Sequence, residues 1–218
     1  MSLTSRKKRP LSRDKQEYRD DRLYIIASDD RYAPQQYFDS FEIPRIKILV
    51  EPTLDGTSSA NHVLGRLDAY EVADWDEKWM LLDTDHYVQG SHAANFTQAI
   101  TEARQKGIRV ALSNPCFDFW LWLHHIDINE DFTKITDAKS VLVALRTTLG
   151  SFNKTNIDTS QYSFSSVANA CRVARHLDQL AGGGDRPDAP TSRVYQLWES
   201  IISNSTSQAP ADLLQILE

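Results

Sequence analysis

The sequence predicts an α/β protein in which a mostly parallel sheet is flanked by helices and followed by a helical C-terminal extension. Three observations carry that prediction. Four short apolar runs alternate with segments of helical period up to about residue 130, which is the pattern of parallel strands joined by helical crossovers. The connections between them are short, as such crossovers require. Beyond that point the strand-like runs stop, and helical segments are separated by polar or glycine-rich stretches.

The first strand is Arg22–Ser28, "RLYIIAS", followed by the polar "DDRYAPQQ" and a short helix beginning near "QYFDSF". "RIKILVE", Arg45–Glu51, alternates cleanly and forms the second strand. After the loop "PTLDGTSS", Ser58 or Ser59 caps a helix through "ANHVLGRLDAYEVAD", where Val63, Leu64, Leu67 and Tyr70 recur at helical spacing. "KWMLLD" is the third strand. "SHAANFTQAITEARQKG" is an amphipathic helix with Ala94, Ala99, Ile100 and Ala103 among its small and apolar positions, closed by Gly107. "IRVALS", Ile108–Ser113, is the fourth strand, and "FDFWLWLHH" continues as an aromatic helix. The extension reads as the helix "TDAKSVLVALRTTL", a polar linker "SFNKTNIDTSQY", the helix "SFSSVANACRVARHLDQLA", the loop "GGGDRPDAP" and the helix "TSRVYQLWESIIS". The expected organisation is a basic flexible tail over residues 1–20, an α/β domain over 21–130 and a helical extension over 131–218.

With 41% apolar and 25% charged residues, the chain can build a core and has the balance of a soluble protein. No apolar run is long enough to span a membrane, and no apolar stretch of signal-peptide type opens the chain. Two cysteines, Cys116 and Cys171, are too few for a disulfide framework or a thiolate zinc site. A cytoplasmic location is expected. Net charge is −6, yet residues 2–15 hold six basic side chains against Asp14 alone, so the body is more acidic than the total. Neither G-x-S-x-G nor a P-loop motif occurs.

In a parallel sheet the functional crevice lies at the carboxyl ends of the strands. Asp29, Glu51, Asp83 and Ser113 stand at such ends. The third strand runs straight into Asp83-Thr84-Asp85-His86. If the extended geometry continues, Asp83 and Asp85 point the same way, because side chains alternate with period two. Paired carboxylates suit a hard cation such as Mg²⁺, which takes oxygen ligands and keeps several waters. A solvated turn is the alternative reading of an isolated D-x-D.

One block is more specific. "GIRVALSNPCFDFWLWLHH", Gly107–His125, resembles the signature of the RloB-like abortive-infection proteins: an apolar strand, Ser113-Asn114-Pro115-Cys116-Phe117, the acidic Asp118, and an aromatic/leucine helix ending in His124. Pro115 suits a first helical turn and Asn114 is placed to cap it. "LLDTDHY" is similar to that family's strand ending in Asp-x-Asp-His, and "DAPTSRVYQLWESI" resembles its closing helix, with Pro190, Thr191, Val194 and Leu197 in place. Together the likenesses span most of residues 22–202.

The family is considered related to TOPRIM domains, in which a Glu after the first strand and a later Asp-x-Asp hold Mg²⁺. The resemblance therefore implies a TOPRIM-like fold, with Asp29, Asp83 and Asp85 as ligands of Mg²⁺ or Mn²⁺. His86 and His124 become candidates for proton transfer or phosphate contact, and Ser113 and Asn114 for positioning. It also implies a nuclease acting on RNA, with tRNA among the targets, or on DNA, in phage defence beside an ATPase that senses infection. One departure stands out. Where such chains carry Glu-Gly-x-x-Thr-Glu-x-x-Tyr-Phe, this one has "DDRYAPQQYF": Asp29 replaces the first Glu, Asp30 the Gly and Pro34 the second Glu, while Tyr37 and Phe38 are kept. Glu51 compensates only if its strand neighbours the site. The degenerate motif leaves a second expectation, a non-catalytic adaptor docking on the ATPase through the extension, where Val194, Leu197, Trp198 and Ile201 form an apolar stripe.

Overall fold

Strands β1 (Arg22–Ser28), β2 (Ile46–Glu51), β3 (Glu77–Asp83) and β4 (Arg109–Asn114) lie parallel in the order β2-β1-β3-β4. A two-residue strand, β5 (Thr191–Ser192), closes the β4 edge in the antiparallel sense. The computed structural model describes residues 21–53, 57–87, 91–184, 187–205 and 210–217. The basic tail of residues 1–20 lies outside the described residues. The helices are α1 (Ala33–Asp39), α2 (Ala60–Asp68), α3 (Ser91–Gln105), α4 (Phe117–Leu123), α5 (Ala138–Leu149), α6 (Phe164–Leu180), α7 (Val194–Ser203) and α8 (Ala211–Leu214). The α/β class, the largely parallel sheet and the helical C-terminal part are those the sequence predicts.

The central strands β1 and β3 are buried along most of their length because both their faces are covered. Along β1, Tyr24 and Ile26 face one layer while Ile25 and Ala27 face the other. The Ile25 side meets α2 and α3, where Val63, Leu64, Leu67, Phe96 and Ile100 form an aliphatic core around Met80 and Leu82. On the Tyr24 side a larger aromatic core joins Tyr37, Phe38, Phe117, Trp120 and Trp198 with residues of α5, α6 and α7. The C-terminal helices thus share a core with the strands. No helix among the described residues is long and apolar enough to cross a membrane.

Three details differ from the sequence reading. The helix expected over "TSRVYQLWESIIS" starts only at Val194, because Thr191 and Ser192 pair with Asn114 and Ser113 as β5. The second helix stops at Asp68 rather than continuing to Asp74. Asn114 does not cap α4: that helix begins at Phe117, whose backbone N–H donates to Asp83 Oδ1 at 2.7 Å across the strand gap.

Candidate functional site

The strand ends Asp29 and Asp83 sit side by side, since β1 and β3 are neighbours. Asp29 Oδ2 accepts the backbone N–H of Asp83 at 3.0 Å, and Asp83 is 3% exposed. Extended geometry ends at Asp83. Asp85 opens a single 3₁₀ turn, Asp85–Tyr87, so alternation does not carry it in line with Asp83. Instead the backbone of the Ser-Asn-Pro block holds the turn: Thr84 N–H donates to the carbonyls of Ser113 and Pro115, and Asp85 N–H to that of Pro115. The bond from Asn114 to Pro115 in this block is cis.

Two further acids join the pair. Asp30 Oδ1 accepts from the backbone N–H groups of Tyr32 and Ala33 as the chain enters α1. Asp118 comes from the first turn of α4, buried at 6% exposure. Across them lies Lys154, whose Nζ is 2.6 Å from Asp30 Oδ2 and 3.5 Å from Asp118 Oδ2. Gln36 of α1 holds the lysine's loop, its amide donating to the Lys154 carbonyl and its Oε1 accepting from Ile157 N–H. The expected polar linker is therefore a docked strap, anchored by buried Ile157 and Tyr162.

The electrostatics follow from burial and crowding. Asp29 is pushed up to about 8, first by burial and then by the charges of Asp30 and Asp85, against the opposing hydrogen bond from Asp83 N–H. Burial and the neighbouring Asp29 carry Asp83 well above the usual carboxylate range, with Lys154 opposing. Asp118 rises to about 6 through burial, again restrained by Lys154. Burial works against the Lys154 charge, but Asp118, Asp30 and Asp83 outweigh it and hold the ammonium above its ordinary value. Asp30, Asp83 and Asp118 thus act on one ammonium, with Asp29 and Asp85 adding to the acid cluster, and buried Asp29 Oδ1 and Asp118 Oδ1 have no hydrogen-bond partner.

The other predicted residues are placed elsewhere. Ser113 Oγ meets Ser192 Oγ at 2.9 Å, completely buried beneath β5. Asn114 accepts from Thr84 Oγ1, and its amide donates to the carbonyls of Pro187 and Ala189, so it ties the loop before β5 to the acid turn. His124 lies in the aromatic core, 4% exposed, and burial lowers it well below its ordinary value. It is neutral there. Ser166 Oγ donates to the Ser163 carbonyl, so His124 Nδ1–H donates to Ser166 at 2.9 Å and Nε2 accepts from Tyr37 Oη at 3.1 Å. His86 has a described backbone, but its side chain lies outside the described residues. The Glu51 carboxylate accepts the hydroxyl of Tyr70.

Sequence reasoning missed Asp30, Asp118 and Lys154 as parts of one cluster. A signal existed for each: a second acid after β1, an acid in a helix otherwise apolar, and a lysine beside the turn formers Asn153 and Asp158.

Fold and site together define an α/β protein with a buried acid cluster at the carboxyl ends of a parallel sheet. A model of the RloB-like protein family matches residues 24–201, and the chain belongs to that family. No curated protein and no solved structure matches it.

Proposed function

We propose that the protein is a metal-dependent phosphodiesterase of TOPRIM type that cleaves nucleic acid, with structured RNA such as tRNA as the first class to test and DNA as the second. The observation that supports it most is the charge deficit at the carboxyl edge: five acids, of which Asp29 and Asp83 hold their protons far above the usual range, and one lysine. The donors are all oxygen, and Asp29 Oδ1 is buried without a partner, which suits a hard divalent cation. Among the described residues no three acidic, histidine or cysteine groups converge as a finished ligand set. Mg²⁺ does not require one, since it binds through one or two carboxylates and completes its shell with waters and substrate phosphates.

Asp29 and Asp83, with Asp85 in the next turn, would hold Mg²⁺ or Mn²⁺. Such an ion supplies Lewis acidity for the phosphate and an activated water. Lys154 presents a fixed positive charge at the rim, able to receive a phosphate oxygen. Asp118, near 6, is balanced between its two forms close to neutral pH, which suits a group that takes or returns a proton. Cys116 is no nucleophile here, because burial, with Asp83 and Asp118, raises its thiol far above the thiolate range. Within the family resemblance, the activity would serve phage defence by abortive infection, beside an ATPase.

A second reading is a non-catalytic adaptor that docks on such an ATPase. It is favoured by the unfinished ligand set and by Lys154, which already bridges Asp30 and Asp118. Incubation with total tRNA and single-stranded DNA in Mg²⁺ or Mn²⁺ separates the two. Cleavage by the wild type that disappears in Asp83→Asn supports the enzyme, and no cleavage of either substrate supports the adaptor.

A further inference from the structure

A wide cleft lies at the opposite end of the sheet, where the strands begin. It has a volume of about 1140 Å³ and is lined by Arg22, Arg104, Arg109 and Arg175, with Glu77 and Glu199 as its acids. Both acids are already well served. Glu77 accepts from Arg22 at 2.8 Å, from Trp79 Nε1 at 2.9 Å and from Ser200 Oγ at 2.8 Å, with Arg109 Nη1 at 3.5 Å. Glu199 takes Nε and Nη2 of Arg175. Arg22 Nη1 donates further to Asn204 Oδ1 at 2.6 Å and Arg175 Nη2 to the Ile216 carbonyl, so the donors to spare are those of the exposed Arg109.

Arg109 shows where the surplus points. Its side chain is 55% exposed, and its guanidinium lies over the Trp79 ring at 5.4 Å. Nη1 serves Glu77 and Ser200. A stacked, planar guanidinium with donors to spare is a preorganised partner for phosphate oxygens. Arg104, exposed on α3, lines the same opening.

We propose that this cleft anchors the phosphodiester backbone of a nucleic-acid strand, as a site separate from the acid cluster. It rests on nucleic acid being the ligand class proposed above, but not on catalysis. The two ends are one strand length apart, roughly 20 Å at about 3.3 Å per residue. A mononucleotide therefore cannot engage both, whereas a polymer can.

The test is fluorescence anisotropy with labelled oligouridylate and oligodeoxythymidylate, in EDTA so that cleavage plays no part, over a series of salt concentrations. Wild type should bind with an affinity that falls steeply as salt rises. Arg104→Gln/Arg109→Gln should weaken binding about tenfold and reduce the salt slope by about 1.4, at ~0.7 per lost single-strand phosphate contact. Arg104→Gln alone, on an exposed helical position, should give half of that slope change and covers the event that the double variant melts early. Arg104→Lys/Arg109→Lys should retain most of the salt slope. The two oligonucleotides tell RNA from DNA preference. The proposal is overturned by no binding at low salt, by unchanged affinity in the Gln variants, or by equal competition from polyglutamate. Cleavage without anchoring would leave the nuclease reading standing, and anchoring without cleavage would leave this one.

Discussion

Strand β3 carries a buried acid at each end, and the two are treated in opposite ways. Glu77 opens the strand with two arginines, an indole N–H and a serine hydroxyl gathered around it. Asp83 closes it with one backbone N–H, beside Asp29 and within reach of the charges of Asp30 and Asp85. Exposure is similar, 8% and 3%, so burial alone does not explain the contrast. A buried charge with complete partners holds a structure together, while one kept short of partners costs stability and persists where something else is to complete it. We propose that the carboxyl end of the sheet is of the second kind.

The comparison can be broken most directly by removing Glu77. Glu77→Ala strands Arg22 and Arg109 beside a buried hydroxyl and indole, and should destabilise the fold by about 3 kcal/mol, read by urea unfolding. A loss below ~1 kcal/mol would mean that the arginines are content with water.

Complete partnering also describes the chain Trp198 Nε1–H to Tyr37 Oη, Tyr37 to His124 and His124 to Ser166. Tyr37→Phe leaves two buried groups unpaired and should cost about 1–3 kcal/mol without touching the acid cluster's pH response. An altered pH response would join the two networks and blur the contrast.

At the other end of β3 the sign reverses. Asp83→Asn keeps an oxygen for Phe117 N–H but removes a carboxyl whose ionisation its surroundings oppose. In the absence of divalent ions at pH 8 it should raise Tm by several degrees, at ~2–4 °C per kcal/mol for a chain of this size. Glu77→Gln should lower it. A fall for both would erase the distinction.

The pH-dependent effect is the most specific. The Asp29 carboxyl goes from its ordinary 3.8 in the unfolded chain to about 8 in the folded one, so the folded state binds more protons between those values. Its contribution to stability is therefore fully present at low pH and is lost as pH rises through about 8. Asp29→Asn should remove that part of the decline, so that its Tm difference from wild type grows from pH 5 to pH 8. A constant difference would place the proton elsewhere.

Much of the architecture was readable because it is local. Four apolar or alternating runs, the amphipathic α3 and the acid at the tip of β3 each declare themselves within a dozen residues. The site was legible only in half. Asp29 and Asp83 follow from strand ends, but Asp30 stands where the family pattern has a glycine, so the pattern does not mark it as a site acid. Lys154 reaches the acids through a strap whose dock on Gln36 joins positions 118 apart, and no periodicity reports such a contact. β5 escaped because two residues flanking a helix carry no alternation to detect. His124 misled for the opposite reason: a histidine closing a motif looks functional, whereas here both of its ring nitrogens complete an aromatic core.

The central claim is that the acid cluster lacks a cation. Calorimetric titration of Mn²⁺ into wild type and into Asp29→Asn/Asp83→Asn, both at pH 8, tests it directly. The account predicts saturable binding of at least one ion to wild type, with proton release as Asp29 and Asp83 ionise, and its loss in the double variant. No binding to wild type, or equal binding to both proteins, would contradict it.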